Sequence, residues 1–289
     1  MGDGAQPPAP RLTPRLSPKG MDITQIRDWA FIPGLPDDTG PIRALLHTYS
    51  SIPQDEIDQH LLRIREEAWK VTKFPCIGRW KFLRLTDTSD ACYRQVLFRL
   101  RLPKSRDALL DLGCCVGQAL RQFHADGVDS SQLFGIDIEP RLIDIGYDLF
   151  NDRDQFKATF VIGDMADPDD KRPLQLQGMV TMIHADSFFH LFNWTQQLYI
   201  GCRLVAFLKQ GTKNALIYGR QAGIKDVCSP ADEIPYLHSQ ASFQRLWDEI
   251  GKMTRTKWKV EISFEEDIDP FPGIAIEVAA ISFTIYQIA

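Results

Sequence analysis

A chain of 289 residues is long enough for one large domain with an appended lobe, and 44% hydrophobic with 25% charged residues is the balance of an ordinary globular protein. The formal charge of −5 lacks the basic footprint that nucleic acid selects, so no nucleic-acid partner is expected. No stretch reaches the roughly 20 uninterrupted apolar residues of a membrane helix and the N-terminus lacks an apolar signal core, so no membrane partner is expected and the predicted location is cytoplasmic.

In chain order, residues 1–20 combine glycine, many prolines and basic residues without apolar periodicity, which predicts a disordered tail. From Pro41 to about Lys70 two helical patterns appear, the second carrying Ile57, Leu61, Leu62, Ile64, Ala68 and Trp69 among charges. With the connector Phe74-Pro-Cys-Ile-Gly-Arg-Trp80 and a helix near Cys92–Leu102 they predict an N-terminal helical lobe over residues 21–103, expected to close over the site. Its helices are also a candidate surface for pairing into a homodimer.

From about residue 104 apolar strands alternate with helices, the pattern of a parallel sheet covered on both faces. The predicted strands are Ala108–Leu112, Leu133–Asp137, Thr159–Ile162, Met179–Ile183 and Ala215–Tyr218, with helices near 117–125, 140–150 and 195–209. A helix around Phe243–Ile250 then precedes Trp258–Phe264 and the strictly alternating Ile281–Ile288, which reads as a strand of an antiparallel pair. The fold class is therefore α/β: a Rossmann-like, seven-stranded, mostly parallel sheet with an antiparallel C-terminal hairpin, over residues 104–289.

Six cysteines (Cys76, Cys92, Cys114, Cys115, Cys202, Cys228) show no CxxC spacing, so they are expected reduced and mostly buried, and no residue is assigned to a metal.

The first strand runs into Asp111-Leu-Gly-Cys-Cys-Val-Gly117, followed by a helical stretch. Such a turn lets a ligand approach bare backbone beyond the carboxyl ends of an open sheet. A dinucleotide fingerprint would read GxGxxG; here Gly113 and Gly117 read GxxxG, and Asp111 would repel a pyrophosphate but attract a sulfonium and an ammonium. That preference selects S-adenosylmethionine over NAD. Asp137 ends the second predicted strand, beside Ile138, where a ribose's vicinal hydroxyls need a bidentate acceptor. Asp164 follows the third strand, suited to an adenine amino group, with Met165 as a polarizable ring contact.

With these motifs in place the sequence resembles the fungal class I S-adenosylmethionine-dependent methyltransferases of secondary-metabolite biosynthesis, acting on meroterpenoids and polyketides. The resemblance runs from about Ile57 to the C-terminus. It is strongest in Pro75-Cys-Ile-Gly-Arg-Trp80, Leu110-Asp-Leu-Gly-Cys-Cys-Val-Gly-Gln118, Ile145-Gly-Tyr-Asp-Leu-Phe150, Ser187-Phe-Phe-His-Leu-Phe-Asn-Trp194, Gly219-Arg-Gln221 and Leu246-Trp-Asp-Glu249. It implies O-methylation, methyl esters included, of a small, largely apolar molecule. Two departures stand out: Cys115 replaces a glycine usual in the broader class, and Asp186 sits beside the segment expected to face the nucleophile.

His184–Trp194 follows the fourth predicted strand and should lie beside the reactive methyl. His190 is the candidate general base, needed only for a protonated acceptor, and His184 the candidate cofactor contact. Trp80 and Phe188 lead a group of aromatics (Phe82, Phe189, Phe192, Trp194) as candidate pocket walls, and Arg220 is a candidate clamp for a substrate carboxylate. The alternatives are N- or C-methylation, methylation of a macromolecule, or a degenerate methyltransferase fold serving as a binding module, which would be expected to have lost the acids at 111, 137 and 164. An NAD-dependent oxidoreductase is the last alternative.

Overall fold

The computed structural model describes residues 29–225, 236–265 and 278–288. The predicted tail at 1–20 and Cys228 lie outside them.

Seven strands form one sheet: β1 (Leu109–Leu112), β2 (Leu133–Asp137), β3 (Thr159–Ile162), β4 (Met182–His184), β5 (Leu216–Ile224), β6 (Trp258–Phe264) and β7 (Val278–Gln287). Their spatial order is β3-β2-β1-β4-β5-β7-β6. The first five are mutually parallel, and β7 enters antiparallel between β5 and β6. This is the Rossmann-like sheet with an antiparallel hairpin that the alternation predicted. The order reverses between β1 and β4, which opens a crevice beyond their carboxyl ends, the usual ligand position in open α/β sheets.

The helices are α1 (Gly40–Thr48), α2 (Ile57–Val71), the single turn α3 (Pro75–Gly78), α4 (Ala91–Arg101), α5 (Gln118–Ala125), α6 (Pro140–Phe150), α7 (Trp194–Phe207) and α8 (Gln240–Thr254). Their start signals are local. Asp90 accepts from the Tyr93 amide at the head of α4, and Asn193 with Gln196 and Ser239 with Ser242 close reciprocal caps on α7 and α8. Glu139 caps α6, with Pro140 at its first turn.

Strand bounds differ from the prediction at β1, which starts one residue later, at β7, which spans Val278–Gln287 instead of Ile281–Ile288, and most at β4 and β5. β4 begins at Met182 because Val180 is diverted to the end of α7, where it bridges Leu208, while the Thr181 and Met182 amides both donate to Ala108 O. β5 runs on to Ile224, since its antiparallel pairing with β7 continues to Ile224↔Val278. Arg220 therefore lies inside β5 and not past its end.

One face of the sheet packs Leu110, Leu112, Ile136, Ile183 and Ile217 against α7 and α8 through Leu204, Phe207, Phe243 and Trp247. The other packs Leu109, Leu133, Met182 and Leu216 against Tyr93, Val96 and Phe123 of α4 and α5. A third cluster joins Leu46, Leu61, Ile64 and Ala68 of α1 and α2 to Leu142, Ile145 and Leu149 of α6 and to Val116 of the β1–α5 turn. The N-terminal helices thus share their core with the turn.

Candidate cofactor and methyl-transfer site

The β1–α5 turn is held by its own backbone. The Gly113 and Cys114 amides both donate to Ile136 O, at 2.9 and 3.0 Å, and the Gly117 amide donates to Cys114 O at 2.7 Å. Gly113 (φ 71°), Cys115 (φ 51°) and Gly117 (φ 67°) all adopt left-handed backbone, so the turn demands at Cys115 a conformation costly for a residue with a Cβ. On its inner side Gly146 of α6 presses so close that a Cβ there would stand 2.2 Å from Val116 O.

Asp111 is 4% exposed, and its Oδ1 lies 2.8 Å from His184 Nδ1. The contact follows from register: Asp111, His184 and Tyr218 are direct partners across β1, β4 and β5. The two histidine and carboxylate predictions therefore meet in one buried pair. Burial pulls the His184 pKa down, but the hydrogen bond and charge of Asp111, with Asp186 behind, outweigh it and leave it raised. Asp111 keeps its Oδ2 and a second lone pair on Oδ1 for a ligand.

Asp137 ends β2 with each oxygen accepting one backbone N–H, Oδ2 from Cys115 at 2.8 Å and Oδ1 from Glu139 at 3.0 Å. This fixes the carboxylate plane against the turn while each oxygen keeps a lone pair for a hydroxyl donor. Burial raises its pKa, against the backbone donors that lower it. Ile138 beside it is partly exposed. Asp164, two residues past β3, is half-buried; its Oδ1 accepts from the Ala166 amide at 2.8 Å, and its own amide donates to Asp170 Oδ2 at 2.8 Å. Met165 is buried beneath it, 4% exposed.

Phe188 packs on the bare face of Gly113, where a Cβ would meet its ring at 2.7 Å, and stands 5.0 Å from Phe192. Phe189 turns away into the main core against Phe243, Trp247 and Phe283, so it is core and no pocket wall. The His190 ring is partly exposed, but its Nδ1 is shielded and has no hydrogen-bond partner. Burial, aided by Lys81 and opposed by Asp186, lowers it to about 4. Arg220 Nη2 lies 3.9 Å from Asp186 Oδ2, both side chains about one-third exposed, at a β5 position whose carbonyl accepts from the Ser187 amide. Gly219 beside it allows that approach, since a Cβ would stand 2.2 Å from Ala185 O.

Asp111, Gly113, Gly117, Asp137, His184 and Phe188 are thus gathered at the carboxyl ends of β1, β2 and β4, with Asp164 on the β3 side and Arg220 on the β5 side. Trp80 is placed differently. It is 3% exposed in the lobe core, in left-handed backbone (φ 62°), under the Arg65 guanidinium at 4.5 Å, with its indole N–H donating to Ile32 O.

Sequence reasoning passed over two arginines. Arg203 of α7, 7% exposed, donates to Asp164 O and Met165 O at 3.0 and 3.3 Å and to Asp170 O, so it ties down the loop that carries both. Arg121 of α5 is fully buried behind the turn and donates to Val116 O at 2.9 Å. The legible signal was a basic residue among apolar helix neighbours, Ile200 and Leu204 for one, Leu120 and Phe123 for the other.

The residues present suit S-adenosylmethionine by their donor set. The turn offers carboxylates where a phosphate would be repelled, Asp137 has two oriented acceptors, and Gln118 Oε1, at the start of α5, is buried without a partner.

The model of a family described as meroterpenoid methyltransferase N-terminal domain matches residues 24–83. The O-methyltransferase atr3 of Stereocaulon alpinum is 36% identical over 236 residues, covering 80% of this chain and 67% of its own. The O-methyltransferase phiE of a fungal species is 34% identical over 238 residues, covering 80% and 78%. The asnovolin E/chermesin D methyltransferase nvfJ of Aspergillus novofumigatus is 33% identical over 225 residues, covering 76% and 80%.

Proposed function

Since the chain belongs to the fungal class I S-adenosylmethionine-dependent methyltransferases of secondary-metabolite biosynthesis, we propose that it methylates oxygen of a small, largely apolar polyketide or meroterpenoid, with a carboxylate as the preferred acceptor. The names of atr3 and phiE support oxygen as the atom. The observation that carries the carboxylate is His190. Its shielded Nδ1 has no partner to orient the ring, and burial lowers its pKa to about 4, so it is poorly matched to deprotonating a phenol of pKa near 10. A carboxylate arrives ionised and needs no base.

In this reading Asp111 with His184 and the bare backbone of Gly113 and Gly117 hold the cofactor's amino-acid end. Asp137 and Ile138 hold its ribose, and Asp164 and Met165 its adenine. The bound cofactor supplies a methyl group on a sulfonium. The chain's own residues then bind, orient and exclude water, which suffices to accelerate an in-line displacement strongly. Phe188 walls the apolar side, and Arg220, held only at 3.9 Å from Asp186, is free to take the acceptor carboxylate bidentately. Trp80, held in the lobe core by Arg65 and Ile32, is not assigned a substrate contact. The helices α1 to α3, which share their core with the turn, close the site, whereas α4 of the predicted lobe packs on the sheet instead; the acceptor is a small molecule with no nucleic acid involved.

The test is incubation with methyl-labelled S-adenosylmethionine and a fungal metabolite extract, followed by mild alkali. A methyl ester releases its label as methanol, whereas alkali-stable label marks an ether or N- or C-methylation and refutes the carboxylate. Label confined to macromolecules refutes the small-molecule reading.

A further inference from the structure

We propose that Arg121, with Asp152 and Tyr49, is a positioning brace that holds the β1–α5 turn in its strained, cofactor-competent form and links that form to the N-terminal helices. The proposal rests on the reading of the turn as the S-adenosylmethionine site.

Arg121 is 0% exposed and Asp152 3%, and they meet in a two-point fork, Nε to Oδ2 at 2.8 Å and Nη2 to Oδ1 at 3.0 Å. The guanidinium sits among Tyr147, Phe150, Phe156 and Phe160, with ring centroids 4.6–5.9 Å away. Its remaining nitrogen does not pair with the acid. Nη1 reaches Val116 O at 2.9 Å and Gly117 O at 3.4 Å, the carbonyls on the inner side of the turn. On the far side, Asp152 Oδ2 accepts from the Tyr49 hydroxyl at 2.9 Å, 103 residues away in sequence and just past the end of α1. The chain of contacts therefore runs from lobe to acid to guanidinium to turn.

A buried charge placed there has a use beyond packing because of Cys115. Its left-handed backbone is disfavoured for a residue that carries a Cβ. Cys115 also donates its amide to Asp137, so relaxing that residue would move the proposed ribose ligand's partner. Pinning the next carbonyl, Val116 O, between Arg121 and the close face of Gly146 opposes that relaxation. Without the brace the competent turn becomes one conformer among several, and apparent affinity falls in proportion to its population.

The measurement is the Kd of S-adenosylhomocysteine, by calorimetry on the full chain, for wild type, Tyr49→Phe, Arg121→Lys, Cys115→Gly and the two doubles with Cys115→Gly. Tyr49→Phe removes one hydroxyl and keeps the ring, so it folds even where Arg121→Lys does not. The expected result is binding weakened about threefold by Tyr49→Phe and about tenfold by Arg121→Lys, the range of one hydrogen bond and of a lost charged fork. Adding Cys115→Gly, which removes the strain, restores most of the loss in each. Denaturation midpoints of the same variants separate the two cases: a loss of global stability alone lowers the midpoint and leaves the Kd of the folded chain unchanged. Brace variants that bind like wild type, or doubles no better than the singles, overturn the proposal. A folded wild type that does not bind S-adenosylhomocysteine overturns the cofactor reading itself, and the brace's assigned role with it.

Discussion

At the scale of single residues, the site is a set of groups whose neighbours decide their charge. His184 is held by Asp111 and keeps a raised pKa, whereas His190, its Nδ1 shielded, and the buried His238 have no acidic hydrogen-bond partner and desolvation holds them down to about 4 and about 3. The signs oppose one another. The unfolded chain protonates its histidines near pH 6.5, so His190 and His238 make stability rise with pH up to that point. His184 contributes fully below pH 6.5 and loses its contribution as pH climbs through its raised pKa. Denaturation midpoints measured from pH 5 to 8.5 should therefore pass through a maximum near pH 6.5; a monotonic rise across that range contradicts the His184–Asp111 assignment. A second expectation separates acceptors. His190→Ala should leave turnover of a carboxylate acceptor within about threefold of wild type, whereas Arg220→Ala should raise its KM by about tenfold or more, the loss of a charge-assisted pair. Abolished turnover in His190→Ala would restore the base role and a hydroxyl acceptor. The acids at 111, 137 and 164 were legible in the sequence because strand ends and the glycine spacing mark them. That Asp111 would bond His184 through one oxygen was not, because the pairing is set by the β1–β4 register across 73 residues.

At the scale of elements, the turn is shaped by what packs behind it. Gly146 on α6 is required because the helix backbone lies against Val116 O. Gly146→Ala should destabilise the protein by about 1–3 kcal/mol, the cost of forcing an overpacked contact, and weaken cofactor binding by displacing the turn. A chemical denaturation curve unchanged from wild type would show that α6 yields freely. Alternation of strands and helices revealed the sheet, but the caps Asn193 and Ser239 went unread, and the last helix starts at Gln240, three residues before the predicted Phe243. The start of β4 and the length of β5 were not legible from periodicity. Val180 is apolar and reads as strand, but its hydrogen bonds go to the end of α7, and β5 is extended only by pairing with the distant β7.

At the scale of the molecule, the N-terminal helices and the Rossmann-like sheet share one core, and the Tyr49 hydroxyl reaches across to Asp152, itself ion-paired with Arg121. Asp152→Ala leaves Arg121 buried and unpaired, a change that typically costs about 3–5 kcal/mol, and it should lower the stability of the whole chain by that order in a denaturant titration. A loss under 1 kcal/mol would mean that water or another acid replaces the carboxylate. The sequence showed a helical lobe but not its attachment, because Tyr49, Arg121 and Asp152 are too far apart to be read as a group. Trp80 likewise read as a pocket wall by its aromaticity, yet Arg65 and Ile32 claim it for the lobe core. The account as a whole stands on the acids at the strand ends holding S-adenosylmethionine. Calorimetric titration of that molecule into the full chain, beside Asp137→Ala, should give one site per chain in wild type and at least a tenfold loss in the variant, as expected for hydrogen bonds to a charged acceptor. A folded wild type that takes up none, or an Asp137→Ala chain that binds as tightly, contradicts it.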